Sequence, residues 1–177
     1  MPLPGTENPA VSRTVREAYL VLTGKSLLSL EKDLGSLAVL LGECPDPGFL
    51  GELKLVMDQA CHYRGRIKAS LPKEIGKDAG FLHGFETLLG DSPRLEAACS
   101  GLSPWDQATA RSQVRHLKGH LKTIGQLLWR WRLEAELESL VQSLSDEEQL
   151  LRRVFGEASD PAQTKERIAE ILRLLGR

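Results

Sequence analysis

Histidine, arginine and lysine side chains are concentrated in one segment, residues 111–125, which reads RSQVRHLKGHLKTIG. Imidazole groups transfer protons near neutral pH, and guanidinium groups stabilise negative charge on phosphate or carboxylate oxygens. His116 and His120 are four residues apart, so on a helix they would share a face and could together bind a metal ion. No carboxylate completes a metal-binding set, and the neighbouring lysines repel a cation. We therefore expect no metal and no other cofactor.

An arginine precedes a histidine twice in this segment, from Arg111 to His116 and from Arg115 to His120. The pattern resembles the motif of the HEPN ribonucleases, which are helical bundles. The resemblance implies RNA cleavage, with His120 as the general acid–base group and Arg115 stabilising the scissile phosphate. Because that family usually assembles its active site across a dimer interface, it also implies a homodimer.

A second local pattern is Leu-Lys-Gly at residues 117–119, followed by Ile-Gly at residues 124–125. It resembles the histidine-containing phosphotransfer domains, four-helix bundles whose phosphorylated histidine stands two residues before the Leu-Lys-Gly. Arg115 takes the place of that histidine, and His116 lies about 100° further round a helix. The resemblance therefore implies a module that is not phosphorylated at this position but docks receiver or kinase domains.

Four cations of the segment are spaced at i, i+4, i+7 and i+11, which places them along one side of a helix. We call them the basic stripe: Arg111, Arg115, Lys118 and Lys122. Such a stripe holds an anionic protein surface or RNA phosphates, or it is a solvated helix face. We predict that the basic stripe, with Trp129 or Trp131, forms the contact with a partner protein.

The two late tryptophans are two residues apart, so they cannot share one helix face. One interpretation buries one ring and leaves the other exposed beside Arg130 and Arg132, where it would be a contact anchor. The alternative interpretation is that both rings fill a wide groove inside the helical bundle.

Acidic side chains cluster at Glu31 and Asp33 and again at Glu134, Glu136 and Glu138. We predict that both clusters are solvated helix faces. Residues 104–133 carry a net positive charge and residues 134–160 a net negative charge. An alternative is therefore that these two blocks pair with each other in the fold.

Short oxygen-bearing side chains placed directly before prolines mark the beginnings of helices. The side chain accepts hydrogen bonds from N–H groups of the first turn, and the proline takes a position that needs no N–H. Four such starts are Asp46-Pro47, Ser92-Pro93, Ser103-Pro104 and Asp160-Pro161. A fifth start is Ser145, which three acids follow. Since alternating strand patterns are absent from the sequence, we predict an all-α protein.

The predicted helices cover about 10–42, with a weak point at Gly24, 47–70, 73–89, 93–99, 104–144, 146–155 and 161–175. In the longest helix the apolar residues from Val114 to Trp131 alternate three and four apart, an a/d seam that other helices or a second chain must cover. Glycines 76, 80 and 84 in the third helix indicate close approach to a neighbouring helix or simply a weak helix, and the alternative is a mobile segment that opens for a partner.

These elements predict an antiparallel helical bundle of about five to seven helices built around the long helix at about 104–144. A flexible N-terminal arm, 1–9, precedes a single helical-bundle domain, 10–177. In an alternative division, residues 143–177 form a C-terminal helical appendage. The seam also leaves a homodimer open.

The amino-acid composition restricts the classes of protein to which the chain could belong. The chain has 177 residues, a net charge of −1 and 41% hydrophobic residues, values typical of a globular domain and unlike a general nucleic-acid coat. No apolar run reaches the length of a membrane span. Cys44, Cys61 and Cys99 are odd in number and widely spaced, which favours reduced thiols and a cytoplasmic location.

We therefore predict a non-enzymatic, cytoplasmic adaptor, chaperone-like or regulatory protein. It would bind another protein through an apolar groove or through the basic stripe. The enzymatic alternative is an RNA-cleaving or RNA-binding bundle that uses Arg115 and His120. The second alternative is the phosphotransfer-like module that docks receiver or kinase domains.

Overall fold

Helices account for nearly all of the chain that the structure describes. The computed structural model describes residues 9–42, 46–67, 80–155 and 162–177, with side chains described for 13–42, 46–67, 80–146 and 162–177. Within these ranges the helices are α1 (Pro9–Leu40), α2 (Pro47–Ile67), α3 (Gly80–Gly90), α4 (Ser92–Cys99), α5 (Pro104–Phe155) and α6 (Ala162–Leu175). The described residues contain no strand. The predicted all-α bundle around one long helix is confirmed.

Two of the predicted helix starts have the expected hydrogen bonds. At the beginning of α2 the Phe49 N–H donates to Asp46 Oδ1 at 3.0 Å. At the beginning of α5 the Asp106 N–H donates to Ser103 Oγ at 3.2 Å, and the Ser103 hydroxyl donates to Asp106 Oδ2 at 2.8 Å. Both starts satisfy N–H groups that have no partner within the helix.

The predicted start of α4 is wrong by one residue. The N-cap is Asp91, whose Oδ1 accepts from the Arg94 N–H at 3.2 Å, and Ser92 is the first residue of the helix. Pro93 is tolerated there because a residue in the first turn needs no N–H partner. Asp91 and Ser92 are both good capping residues, and the sequence alone did not rank them.

α5 continues past its predicted end. The helix start predicted at Ser145 is wrong, because α5 runs through this residue to Phe155. Gln142 Nε2 donates to Asp146 Oδ1 at 2.9 Å, an interaction between successive turns of one helix. An oxygen-bearing side chain begins a helix only where the preceding one has ended, and neither glycine nor proline interrupts residues 126–155. The weak point predicted at Gly24 is likewise continuous helix within α1.

Some predicted features lie outside the described residues. They are residues 1–8 of the arm, Cys44, residues 68–79 with Gly76, and the helix start at Asp160-Pro161. Pro9, the last residue assigned to the arm, is the first residue of α1.

The chain divides into two compact units. The inner unit is Leu20–Leu128, and the terminal unit combines Met1–Tyr19 with Trp129–Arg177. α1 and α5 contribute residues to both units. The predicted domain limits, 10–177 and 143–177, stay predictions.

Rows of apolar side chains on α1, α2 and α5 form the core of the inner unit. Each row repeats every three or four residues, as the buried face of a helix requires. The buried residues of these three rows are Leu27, Leu30, Leu34 and Leu37 of α1, Phe49, Leu53, Val56, Ala60, Tyr63 and Ile67 of α2, and Ala110, Val114, Leu117, Leu121, Ile124 and Leu128 of α5. The a/d seam of α5 is therefore buried as predicted, and within this chain.

α2 and α3 pack antiparallel. A Cβ added at Gly84 would lie only 3.2 Å from Val56 Cγ1, and the rings of Tyr63 and Phe81 have centroids 5.1 Å apart. The later α2 residue thus contacts the earlier α3 residue. The close approach predicted from the glycine spacing is confirmed at Gly84, whereas the space beside Gly80 is open.

Arg94 of α4 anchors the beginning of α2. Its Nε donates to Asp46 Oδ2 at 3.1 Å, its Nη1 donates to Glu52 Oε1 at 2.9 Å, and its guanidinium carbon lies 5.6 Å from the centroid of the Phe49 ring. The Phe49 N–H and the Arg94 guanidinium hold the pKa of the Asp46 carboxyl below its ordinary value. The hydrogen bonds that the guanidinium donates to Asp46 and Glu52 raise the pKa of Arg94.

The terminal unit has a separate apolar core between α5 and α6. Its buried residues are Leu133, Leu137, Leu144, Ile168 and Ile171. Glu134 Oε1 lies 2.8 Å from Arg177 Nη2, and Glu136 Oε1 lies 2.7 Å from Arg167 Nε. Since the earlier α5 residue pairs with the later cation, α5 and α6 are antiparallel.

The acidic clusters are paired across helices, so their predicted role as solvated faces is wrong. The pairs are Glu31–Arg64, Asp33–His120, Glu134–Arg177, Glu136–Arg167 and Glu138–Arg16. Glu134 is fully buried, and a buried carboxylate without a cation would be strongly destabilising. The sequence shows the acids of one helix together, but only the fold brings the cations of other helices against them.

We expect Gly84→Leu to lower the free energy of unfolding by about 1–3 kcal/mol, because the new side chain would overlap Val56. Gly65→Leu on α2 is the control, since nothing lies within 4 Å of a Cβ there. It should leave stability unchanged or raise it by up to about 1 kcal/mol through helix propensity. Urea unfolding measures both. Equal losses in the two variants would contradict the close contact.

The Asp46 contribution to stability should depend on pH. Its folded pKa is below that of the unfolded chain, about 3.9. The stabilisation is therefore present above that value and is lost as the pH falls through the folded pKa. We expect Asp46→Asn to unfold at lower urea than wild type at pH 7, with a gap that narrows towards pH 3. Asp58→Asn, an exposed carboxylate of α2, is the control. A gap independent of pH would contradict the argument.

Candidate functional site

The buried seam of α5 determines where the basic stripe lies. Successive helix residues differ by about 100°, so the centre of the stripe is about 110° from the centre of the seam. Arg111, Arg115, Lys118 and Lys122 are all exposed and belong to the inner unit. The four cations therefore form one continuous exposed row on α5.

The stripe cations have no partners in the described part of the chain. None of them forms an ion pair or a side-chain hydrogen bond there. Other cations of the inner unit are paired: Arg64 Nε donates to Glu31 at 2.7 Å, and Arg94 binds two carboxylates. In the terminal unit, the first three glutamates of the acidic block, Glu134, Glu136 and Glu138, bind Arg177, Arg167 and Arg16.

The stripe places like charges at neighbouring positions of one helix. Arg111 and Arg115 are four residues apart, Arg115 and Lys118 three, and Lys118 and Lys122 four. Like charges at these spacings destabilise a helix by about 0.2–0.5 kcal/mol per pair. Between Asp106 and Glu134 the helix carries no acid that would relieve the repulsion. The stripe is thus a feature that stability by itself does not favour.

The two histidines lie on different parts of α5. His116 is exposed. His120 is half-buried, and its Nε2 lies 2.9 Å from Asp33 Oδ2, so the ring N–H donates to a carboxylate of α1. Five residues of helix separate Arg115 and His120 by about 140°, so the two side chains do not converge within one chain.

The structure separates the two tryptophans, both of which belong to the terminal unit. Trp131 is 4% exposed and extends the buried seam, whereas Trp129 is 46% exposed. The interpretation with one buried and one exposed ring therefore describes this pair. Trp131 is a core residue, so its predicted place on a contact surface is wrong, because the a/d seam continues one turn beyond Leu128.

An apolar groove lies between α2 and α3 in the inner unit. It has a volume of about 710 Å³ and is lined by Val56, Tyr63, Phe81, Gly84 and Leu88, with His62 and His83 also at its edge. A groove is among the surfaces predicted from the sequence, but the sequence alone assigns no residues to it. A glycine between the aromatic residues of α3 is the sequence signal that could have located it.

The described residues contain neither a metal-binding cluster nor a membrane-spanning helix. No group of three or more His, Cys, Asp or Glu side chains among them is arranged to hold a metal ion. None of the described helices combines the length and the apolar character that crossing a membrane requires. Cys61 is exposed and Cys99 is buried, and neither of these two described cysteines is in a disulfide bond.

Comparisons with known proteins identify no relative. No protein-family model matches the chain, and no match is found among curated proteins or among solved structures.

Reversing one charge of the stripe should stabilise the protein. We expect Arg115→Glu to raise the free energy of unfolding by about 0.5–1 kcal/mol, since the new carboxylate lies four residues from Arg111 and three from Lys118. The control Lys54→Glu should lower the free energy of unfolding slightly, because the new carboxylate at position 54 lies four residues from the carboxylate of Asp58. Urea unfolding at low salt measures both effects, which 1 M salt should remove. A loss of stability in Arg115→Glu would contradict the repulsion.

Proposed function

We propose that this protein is a non-enzymatic interaction module, an adaptor, chaperone-like or regulatory protein, that binds another protein through the basic stripe. One observation carries the proposal: four exposed cations in a row have no partners in the described chain. A partner that supplies carboxylates would replace repulsion between the cations with attraction across an interface.

The charge balance of the inner unit supports a local contact rather than a general polyanion site. Lys and Arg nearly balance Asp and Glu over residues 20–128, so the unit as a whole is not basic. A general nucleic-acid binder carries a clear positive excess, whereas a partner protein with a patch of carboxylates requires only the stripe.

The separation of Arg115 from His120 supports binding over catalysis by one chain. His120 lies against Asp33 of α1, about 140° round α5 from Arg115. Arg115 extends from another side of α5, so the pair that the ribonuclease alternative requires would have to be completed by a second chain. Nothing specific favours that alternative or the receiver-docking one over the proposal.

We further propose that the protein acts in the cytoplasm. The exposed thiol of Cys61 supports this location, since such a thiol persists most readily in a reducing compartment.

Affinity purification from cells that express the tagged protein tests the proposed function. Lys118→Glu/Lys122→Glu reverses two stripe charges, and Lys32→Glu/Lys54→Glu is the matched control with two exposed lysines of the same unit. We expect the stripe variant to recover at least one specific protein about tenfold less than wild type, while the control recovers it normally. Circular dichroism and urea unfolding verify that both variants are folded.

Two outcomes would overturn the proposed function. One is an identical set of recovered proteins for wild type and the stripe variant. The other is recovery that depends on the stripe but is abolished by treating the sample with ribonuclease, since the bound molecule would then be RNA.

A further inference from the structure

The outward face of α5 beside the stripe carries unusually small side chains. Ala108, Ser112 and Gly119 are exposed and lie about 180° from the centre of the buried seam. We call these three residues the small-residue shelf. Exposed helix positions more often carry long polar side chains, which would hold a neighbouring helix further away.

Gly119 lies in the interior of α5 and, like Gly65 and Gly125, has open space where a side chain would stand. A glycine there destabilises a helix by about 1 kcal/mol relative to alanine. A Cβ at this position would have nothing within 4 Å, so packing in the described chain does not require the glycine. By contrast, Gly84 allows Val56 to approach closely. The absent side chain at Gly119 leaves room for something that approaches α5 from outside.

The spacing of the stripe matches the period of another α-helix. Its four cations lie within twelve residues, about 16.5 Å from first to last along the axis, at intervals of about 6, 4.5 and 6 Å. A second helix presents carboxylates at the same intervals when they occur at i, i+4, i+7 and i+11. Its backbone can approach the small-residue shelf while its acids reach the stripe on one side.

We propose that the stripe and the small-residue shelf together bind an acidic α-helix of a partner protein, with carboxylates at i, i+4, i+7 and i+11. The inference rests on the proposed function and specifies the partner's chemistry. Charge complementarity selects an acidic partner, and the pairing of the stripe with an adjacent open face selects a helix.

Two isomeric synthetic peptides test the inference. Each is a lactam-stapled helix of about 18 residues with four glutamates in an alanine and glutamine background. One places the glutamates at i, i+4, i+7 and i+11, and the other at i, i+5, i+10 and i+15, which distributes them around the helix. Binding is measured by fluorescence anisotropy at low salt, since exposed ion pairs are weakened by screening.

We expect the first peptide to bind wild type about tenfold more tightly than its isomer. Lys118→Glu/Lys122→Glu should abolish the difference, and Lys32→Glu/Lys54→Glu should preserve it. Gly119→Leu should weaken binding of the first peptide about tenfold without lowering the melting temperature, because it closes the small-residue shelf while favouring the helix.

Other results would overturn the inference in distinguishable ways. Equal affinity for the isomers, no binding of the first peptide, or no effect of Gly119→Leu would reject a helical partner. If Lys118→Glu/Lys122→Glu still recovered less of a specific partner protein than wild type in affinity purification, the proposed function would stand. Tighter, stripe-dependent binding of a single-stranded poly(U) oligonucleotide than of the first peptide would overturn both.

Discussion

The buried seam of α5 is the constraint on which the rest of the structure depends. Its apolar residues must face the core, and this fixes the rotation of the part of α5 that belongs to the inner unit. Every other position of that part of the helix then has a determined environment. The stripe must be exposed, and His120 lies against Asp33 of α1.

Charge is arranged differently on the buried and the exposed surfaces of the helices. Carboxylates that the fold buries or half-buries have been matched with arginines of other helices, as at Glu31–Arg64 and Glu136–Arg167. The stripe shows the opposite arrangement, with neighbouring cations and no counter-charge in the described chain. Proteins depart from local stability rules mainly where a function requires it, and the stripe is such a departure.

Much of the fold could be predicted from the sequence because helix periodicity and capping are local signals. The seam from Val114 to Trp131 and the starts at Asp46 and Ser103 are of this kind. The helix start predicted at Ser145 is wrong because an N-capping residue begins a new helix only where the preceding helix has ended. The acidic clusters were misinterpreted because ion pairs such as Glu31–Arg64 join residues far apart in the chain. The stripe could be predicted, but its lack of partners required the structure.

Site-specific photo-crosslinking tests the central claim, that the stripe region of α5 contacts another protein, most directly. A photoreactive amino acid at Ser112, exposed beside the stripe, is compared with one at Glu86, exposed on α3. We expect a discrete protein adduct from position 112 in cells and none from position 86. The adduct from position 112 should be lost in the Lys118→Glu/Lys122→Glu variant. No adduct at position 112, or a crosslink to RNA alone, would contradict the central claim.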